Sequence, residues 1–357
     1  MVFNLHLQPY GKVSLLAALL LIVVFMAEPV AAAVEGGPTL ESCIQDKVLA
    51  APDNMTVGEI KATCQELEST MELVVVEEDT GDAVEERLEV DAANVLRPFT
   101  LLAHRQNYFL LAAHNFQGYS TEDFSEAFGE EDLSFDNTEA LSFDNTEAQF
   151  QLSFKMPLAV NIFEKDIDIF AAYTARSFWQ VYQTDISSPF RETNHQPEVW
   201  VQFHPEFEFY GVRSMVTALG VAHQSNGRSG NLSRSWNTVF ADLVFHKGNF
   251  AASLRPWVRI PESDENDDNP DITDYLGHGE MRFAYKYDDN VFSFMSRNNL
   301  ESGFSRGAVE LGWSFPIPGY PYLKGYLQYF SGYGESLIDY NRYVNRIGIG
   351  LLFTDLL

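Results

Sequence analysis

Basic residues are scarce in this 357-residue chain, which has 23 Lys and Arg against 51 Asp and Glu and a formal net charge of -28. No segment shows the basic stripe with which proteins contact a phosphate backbone. The acidic residues concentrate in residues 34–92 and 121–148, and such runs are usually solvated acid on exposed segments. We therefore predict no nucleic-acid partner. A second interpretation, weaker than that of solvated acid, is that these segments attract divalent cations.

Cysteine is almost absent, because only Cys43 and Cys64 occur, both early in the chain. Two thiols exclude a four-cysteine zinc site, and their spacing excludes a C-x-x-C redox pair. We favour a disulfide between them in an oxidising compartment, and two free thiols are the alternative.

Long apolar runs are missing after the first residues of the chain. The early apolar run, residues 13–27, follows Lys12 and precedes three alanines at 31–33. This order is typical of a secretory signal peptide. A membrane anchor is the alternative, although the run is shorter than the roughly 20 apolar residues of a spanning helix. We assign residues 1–33 to a signal peptide and expect no helical membrane span beyond it.

What the sequence has instead is polarity that alternates from one residue to the next. From about residue 97, segments that alternate in this way are separated by turn residues, and about twelve such segments follow Gln106. This period indicates β-strands, and aromatic residues near strand ends are typical of a transmembrane barrel. The predicted fold is all-β, a twelve-stranded antiparallel transmembrane β-barrel over residues 97–357. Residues 34–96 form a short acidic N-terminal extension of unknown role, and a soluble β-sandwich is the alternative fold.

The octapeptide LSFDNTEA occurs twice in tandem, at residues 133–140 and 141–148. Two copies of eight residues are too few and too short for a solenoid. We interpret the repeat as a duplication in an exposed loop, where insertions are tolerated, and we assign it no chemistry.

Residues 215–245 have the pattern of a β-hairpin around a polar loop. Odd positions of the first strand include the bulky Leu219 and Val221, whereas the even positions are mostly small. The bulky apolar face of a barrel strand meets lipid. The odd-numbered His223 and Ser225 are therefore predicted to lie on the outer surface, near the rim of the barrel.

The second strand of the hairpin places Asn237 on the same outer face, because the charged Arg234 and Asp242 belong to the inner face. A loop centred on Gly230 makes His223 the antiparallel partner of Asn237. Side chains in such a pair have Cβ atoms about 4.5–5.5 Å apart, within reach of a hydrogen bond.

His223, Ser225 and Asn237 have the residue types of a hydrolytic triad. Ser225 would attack a carbonyl after His223 takes its proton, and Asn237 would fix the imidazole tautomer. Gly227 can offer a backbone N–H to an oxyanion, and carbonyls with serine hydroxyls of the loop can hold a hard cation such as calcium. The alternative is that each is an ordinary polar residue at a strand end.

Four segments of the chain carry a family resemblance. They are SSPFRETN at 187–194, HQSNGRSGNLSRSWN at 223–237, DDNPDITDY at 267–275 and SGYGESLIDYN at 331–341. Together, and in this order, they resemble the bacterial outer-membrane phospholipase A family. The resemblance implies a twelve-stranded barrel in the outer membrane of a Gram-negative bacterium. It also implies a calcium-dependent hydrolase of membrane phospholipids with phospholipase A1, phospholipase A2 and lysophospholipase activities.

The resemblance also implies roles for single residues of the hairpin. Ser225 matches the family's nucleophile, His223 its base and Asn237 its orienting residue. The backbone amide of Gly227 matches the family's oxyanion donor.

Calcium ligands are implied in the same way. They map to the backbone of Arg228 and the hydroxyl of Ser233, and the partner subunit of an active homodimer contributes Ser187. Asp268 matches an aspartate of a second calcium site, whereas Gly230 stands where that site has its other aspartate.

Some parts of the chain have other expected roles. Glu335 and Asp339 are expected to pair with Arg342 or Arg346 inside the barrel, where polar side chains belong. Ala175 falls where the family resemblance implies a polar residue at the dimer interface. The competing function is a passive barrel, either a pore or a structural protein, whose lumen is lined or filled by inward polar side chains.

Overall fold

The computed structural model describes residues 83–95, 101–124, 143–184, 188–205, 207–263, 265, 267–298, 303 and 305–357. The chain divides into two compact units, residues 1–78 and 79–357, and every described residue belongs to the second unit. The predicted signal peptide, Cys43, Cys64 and Ser187 lie outside the described residues.

Twelve long antiparallel strands form a barrel in this part of the chain. In chain order they are β1 (Asn107–Asn115), β2 (Thr146–Ala159), β3 (Ile167–Trp179), β4 (Phe190–Phe203), β5 (Val212–Ser225), β6 (Ser235–Lys247), β7 (Phe250–Ile260), β8 (Gly279–Tyr287), β9 (Asn290–Asn298), β10 (Gly307–Ile317), β11 (Tyr320–Gly332) and β12 (Val344–Thr354). Each strand pairs with the next, and β12 also pairs with β1, so the sheet closes on itself. Closure satisfies backbone groups that an open edge would leave unpaired in lipid. The predicted twelve-stranded antiparallel barrel is confirmed.

Side chains on the strands alternate between an apolar outer wall and a buried interior. On β5 the outward Leu219 and Val221 are 58% and 51% exposed, whereas the inward Ala218 and Ala222 are 2% and 8% exposed. Exposed aromatic side chains gather at the end of the barrel opposite the β5–β6 loop: Phe163, Phe209, Tyr210, Tyr320 and Tyr322. An apolar wall with an aromatic rim is the surface that a membrane barrel presents to lipid.

Buried ion pairs fill much of the barrel interior. Arg191 is 2% exposed and lies between Glu147, at 2.8 Å from Nη2 to Oε1, and Asp339. Glu335 pairs with Arg346, as predicted. The prediction for Asp339 is wrong, because the segment between β11 and β12 folds inward and brings this carboxylate to an arginine of β4 instead.

The second copy of the octapeptide is not confined to a loop. Thr146, Glu147 and Ala148 are the first residues of β2, and the Glu147 side chain is fully buried. The interpretation of the repeat as an exposed loop is therefore wrong for the last three residues of its second copy. The first copy, residues 133–140, lies outside the described residues.

Helix α1 (Ala83–Val95) belongs to the segment assigned to the N-terminal extension, yet it contacts the barrel. Asp91 pairs with Lys155 of β2 at 2.9 Å, and Arg87 donates to the backbone carbonyl of Asp355 at 3.3 Å. The division of the chain into residues 34–96 and 97–357 stays a prediction. In the described ranges, no helix has the length and apolar character needed to cross a membrane.

Candidate active site

The predicted catalytic hairpin consists of β5 and β6, joined by residues 226–234. Ser225 is the last residue of β5, and Ser235 is the first residue of β6. In the observed register His223 faces Asn237 and Ser225 faces Ser235. This is the pairing that the sequence predicts.

A hydrogen bond joins His223 to Asn237 across the ladder. Nδ1 of His223 lies 2.9 Å from Oδ1 of Asn237, and Nδ2 of Asn237 donates to Oε1 of Glu262 at 2.8 Å. Because the amide nitrogen is bound to a carboxylate, the amide oxygen faces the ring, and Nδ1 of His223 is the donor. Nε2 is then the nitrogen that can accept a proton, and Ser225 follows two residues later on the same face.

The row of His223, Ser225 and Asn237 lies on the outer wall of the barrel. His223 is exposed and the other two are half-buried. Trp236 and Thr238, the neighbours of Asn237 on β6, are 6% and 8% exposed because they point into the interior. The row therefore opens towards lipid and not towards the lumen.

Asn226 organises the loop between the two strands. Its Oδ1 accepts from the backbone N–H groups of Arg228 at 3.2 Å and Arg234 at 3.0 Å. Its Nδ2 donates to the carbonyl of Leu232 at 2.8 Å. Gly227 beside it has a φ of 66°, a left-handed conformation that suits glycine. Sequence reasoning did not select Asn226, although an asparagine directly after a strand is a recognised turn signal.

Comparison with known proteins identifies the family to which the chain belongs. The sequence model of the family described as Phospholipase A1 matches residues 84–353. The chain is 37% identical to the phospholipase A1 of Escherichia coli strain K12 over 268 residues, which cover 74% of this chain and 86% of that protein. The chain belongs to the phospholipase A1 family.

Two solved structures resemble this phospholipase closely. One is the outer membrane phospholipase dimer of Salmonella typhi with bound calcium, with a TM-score of 0.65 and 34% identity, covering 74% of this chain and 97% of that one. The other is the outer membrane phospholipase A of Escherichia coli with an active-site asparagine replaced by alanine. Its TM-score is 0.66 at 33% identity, covering 78% of this chain and all of that one.

These matches bear on several predictions at once. The family, the phospholipase activity and the outer-membrane location are confirmed. The competing interpretation, a barrel without catalysis, is set aside by the same matches. The roles of individual residues, the bound calcium and the dimer of this chain stay predictions.

Two of the predicted calcium ligands of this phospholipase lie together. Ser233 Oγ donates to Oδ2 of Asp268 at 2.6 Å, and Arg228 belongs to the same loop. A hydroxyl, a carboxylate and a backbone carbonyl are the hard oxygen donors that calcium prefers, so the residues present fit this ion. Within the described ranges, no cluster of three or more His, Cys, Asp or Glu side chains is suited to a metal ion.

The segment that carries Asp268 is fastened to the barrel on both sides. Oδ1 of Asn269 accepts from the backbone N–H of Ser235 at 2.9 Å. Asp271 accepts from the hydroxyl of Tyr340 just before helix α2 (Ile272–Leu276). Burial and the neighbouring Asp271 carboxylate raise the pKa of Tyr340, so its phenol keeps the proton that it donates. The carboxylate of Asp268 is thereby held beside the hairpin loop.

The side chain of Arg228 reaches across to the start of β4. Its Nε donates to Oε2 of Glu192 at 3.3 Å, and its Nη2 donates to the carbonyl of Arg191 at 2.6 Å. These bonds fix the backbone whose carbonyl is the predicted calcium ligand.

A second histidine, His195 of β4, lies beside Ser225 and was not predicted. The two residues are antiparallel partners in the ladder. Nδ1 of His195 lies 2.6 Å from the hydroxyl of Tyr173, and a Cβ atom placed on Gly227 would lie 3.7 Å from its ring. His195 therefore forms one side of the space next to the Gly227 amide. The connection between β4 and β5 turns at residues 210–211, but the pairing shifts by one residue between this turn and the ladder. Counting back from the turn would place Gln196, and not His195, opposite Ser225.

Proposed function

We propose that Ser225, His223 and Asn237 are the catalytic triad of a calcium-dependent outer-membrane phospholipase. Its substrates would be the acyl esters of glycerophospholipids and lysophospholipids, with A1, A2 and lysophospholipase activities. The observation that carries this proposal is the 2.9 Å hydrogen bond between His223 and Asn237 on the outer wall, with Ser225 on the same face.

Ser225 acts as the nucleophile in this proposal. Its Oγ attacks the ester carbonyl carbon while its proton moves to Nε2 of His223. The imidazolium is stabilised because Nδ1–H donates to Oδ1 of Asn237. His223 then gives the proton to the departing alcohol oxygen. A water molecule then gives a proton to His223 and attacks the acyl group on Ser225. His223 returns this proton to Oγ of Ser225 as the fatty acid leaves.

The carbonyl oxygen of the ester becomes negative during each attack and requires a hydrogen-bond donor or a positive charge beside it. The backbone N–H of Gly227, two residues after Ser225, is the proposed donor. Calcium, held by the carbonyl of Arg228 and the hydroxyl of Ser233, would supply positive charge beside this oxygen.

The wall around the triad suits a substrate that stays in the membrane. Val221 and Val239 face each other across the ladder one pleat below His223 and Asn237, and they are 51% and 40% exposed. An acyl chain that lies along the barrel covers this apolar surface. Its ester can then reach Ser225 at the rim without leaving the lipid layer.

We also propose that the active form is a homodimer. The similar Salmonella typhi structure is a dimer with bound calcium. In this chain the partner subunit's Ser187 would complete the calcium site. Fatty-acid release per milligram should therefore fall as the protein is diluted through the dimer–monomer transition. Constant specific activity across that dilution series would contradict the dimer proposal.

The triad is tested by fatty-acid release from phosphatidylcholine in detergent micelles. Ser225→Ala is expected to lose activity, and removal of calcium by a chelator is expected to do the same to the wild type. Ser235→Ala is the matched control, because Ser235 lies opposite Ser225 on the same face and should leave activity unchanged. Full activity in Ser225→Ala would overturn the triad assignment.

A further inference from the structure

The side chain of Glu262 contacts Asn237 on the side of the amide that faces away from His223. Its Oε1 accepts a hydrogen bond from Nδ2 of Asn237 at 2.8 Å, and Oδ1 of Asn237 faces Nδ1 of His223 at 2.9 Å. Ile260, the last residue of β7, is the ladder partner of Asn237. Glu262 follows two residues later, so the backbone pairing itself brings the carboxylate to the amide.

The chemistry of the triad leaves a role for this carboxylate. An orienting aspartate would place a negative charge next to the imidazolium, whereas Asn237 is neutral and offers only a dipole. A carboxylate bound to the far side of the amide supplies the missing charge through that dipole. It also strengthens the amide as an acceptor, because hydrogen bonds in a chain polarise one another.

Amide orientation is the second consequence of the contact. If the Asn237 side chain turned over, its NH₂ group would meet Nδ1 of His223, and Nδ1 would have to accept. Nε2 would then carry the proton and could not take one from Ser225. An ionised carboxylate only accepts, so Glu262 holds the amide nitrogen on its own side.

We propose that Glu262 is a positioning residue that orients Asn237 and provides the negative charge of the site. The inference rests on the proposed function of Ser225, His223 and Asn237. It extends the row of three side chains on the barrel wall to a fourth, which enters from the segment after β7.

Other ionisable groups also face this part of the wall. His195 lies on β4, beside Ser225, and Asp268 lies in the same segment as Glu262. Glu262 is half-buried, so its charge acts partly through solvent. Two unit charges about 7 Å apart, one on each side of the amide, change an equilibrium by about threefold in water and by more at the lower dielectric of a half-buried site, so the expected effect is about fivefold.

Four variants separate three effects on activity: the charge of Glu262, the orientation of the Asn237 amide, and any change to the segment after β7. Glu262→Gln keeps an acceptor oxygen and loses the charge, Glu262→Ala loses both, and Glu262→Asp keeps the carboxylate. Glu265→Gln is the control, because it removes one exposed negative charge from the same segment. We expect kcat to fall about fivefold in Glu262→Gln and about tenfold or more in Glu262→Ala, with KM unchanged. Glu262→Asp should recover most of the loss.

The split between kcat and KM gives a readout that a merely structural role would not move. Glu262 contacts the orienting amide of Asn237, so its removal should lower kcat and leave KM unchanged. A general distortion of the site would weaken substrate binding as well, and Glu262→Asp would not restore activity. In Glu265→Gln both constants should match the wild type.

A double-mutant cycle tests whether Glu262 acts through Asn237. In an Asn237→Ala background, adding Glu262→Gln should have no further effect on kcat. A full fivefold loss in that background would overturn the inference, and so would a kcat for Glu262→Gln within twofold of the Glu265→Gln control. Heat-modifiable migration on a gel confirms that each variant is a folded barrel.

Failure of this inference is distinguishable from failure of the proposed function. If Ser225→Ala is inactive while Glu262→Gln behaves like Glu265→Gln, the triad stands and only the role of Glu262 is lost. If Ser225→Ala keeps full activity, both are overturned.

Discussion

Removal of the Glu147 carboxylate should destabilise the barrel strongly. Its two oxygens accept from Nη2 and Nε of Arg191 at 2.8 and 2.9 Å, from Gln180 at 2.9 Å and from Gln149 at 3.1 Å. All of these donors belong to buried side chains. Glu147→Ala leaves Arg191 with Asp339 and an aromatic ring as its charge partners. Breaking a buried ion pair in this way costs about 3–5 kcal/mol of unfolding free energy.

Urea unfolding in lipid vesicles, followed by tryptophan fluorescence, measures this loss. Glu122→Ala is the control, because its carboxylate also contacts an arginine, Arg342 at 3.2 Å, but is 69% exposed. An exposed pair of this kind contributes about 1 kcal/mol or less. A loss below about 1 kcal/mol in Glu147→Ala, or equal losses in both variants, would refute the account of the buried network.

Three further predictions concern the site and the wall. Asn237→Ala should lower kcat about 10- to 100-fold with KM unchanged, because it removes a hydrogen bond to the imidazolium; fatty-acid release checks this, and a loss under threefold would contradict it. Asp268→Ala should raise the calcium concentration for half-maximal activity about 10- to 100-fold; a calcium titration checks this, with Asp274→Ala as the control and an unchanged midpoint as the contrary result. Leu219→Arg, on the outer wall, should cost about 2–4 kcal/mol in vesicle unfolding; stability equal to wild type would show that this position does not face lipid.

Alternation along the strands was sufficient to predict the side on which the hairpin residues lie. Leu219 and Val221 are apolar because lipid surrounds them, and this fixes the face of every second residue, including His223 and Ser225. The connection between β5 and β6, residues 226–234, then gave the register, because antiparallel partners count back from its centre at Gly230. The central pair of the site, His223 and Asn237, was readable for that reason.

Contacts inside the barrel were beyond the reach of the same reasoning. Glu147, Arg191 and Asp339 come from β2, β4 and the segment before β12. They meet because β2 and β4 are second neighbours in the sheet and because the segment before β12 folds inward. No local period in the sequence records either contact. The contact of Glu262 with Asn237 was missed for a related reason, because it depends on the course of the segment that follows the last ladder residue of β7, Ile260.

The alternating direction of the side chains on β5 and β6 also gives neighbouring residues different roles. In the proposed mechanism, odd positions such as His223 and Asn237 serve chemistry at the lipid surface, whereas even positions such as Ala222 and Thr238 pack in the interior. A library that varies only the even positions should therefore change thermal tolerance with little change in turnover, whereas substitutions at His223 and Asn237 should change turnover with little change in thermal tolerance. The interior and the catalyst of this barrel can evolve separately although they share the same two strands.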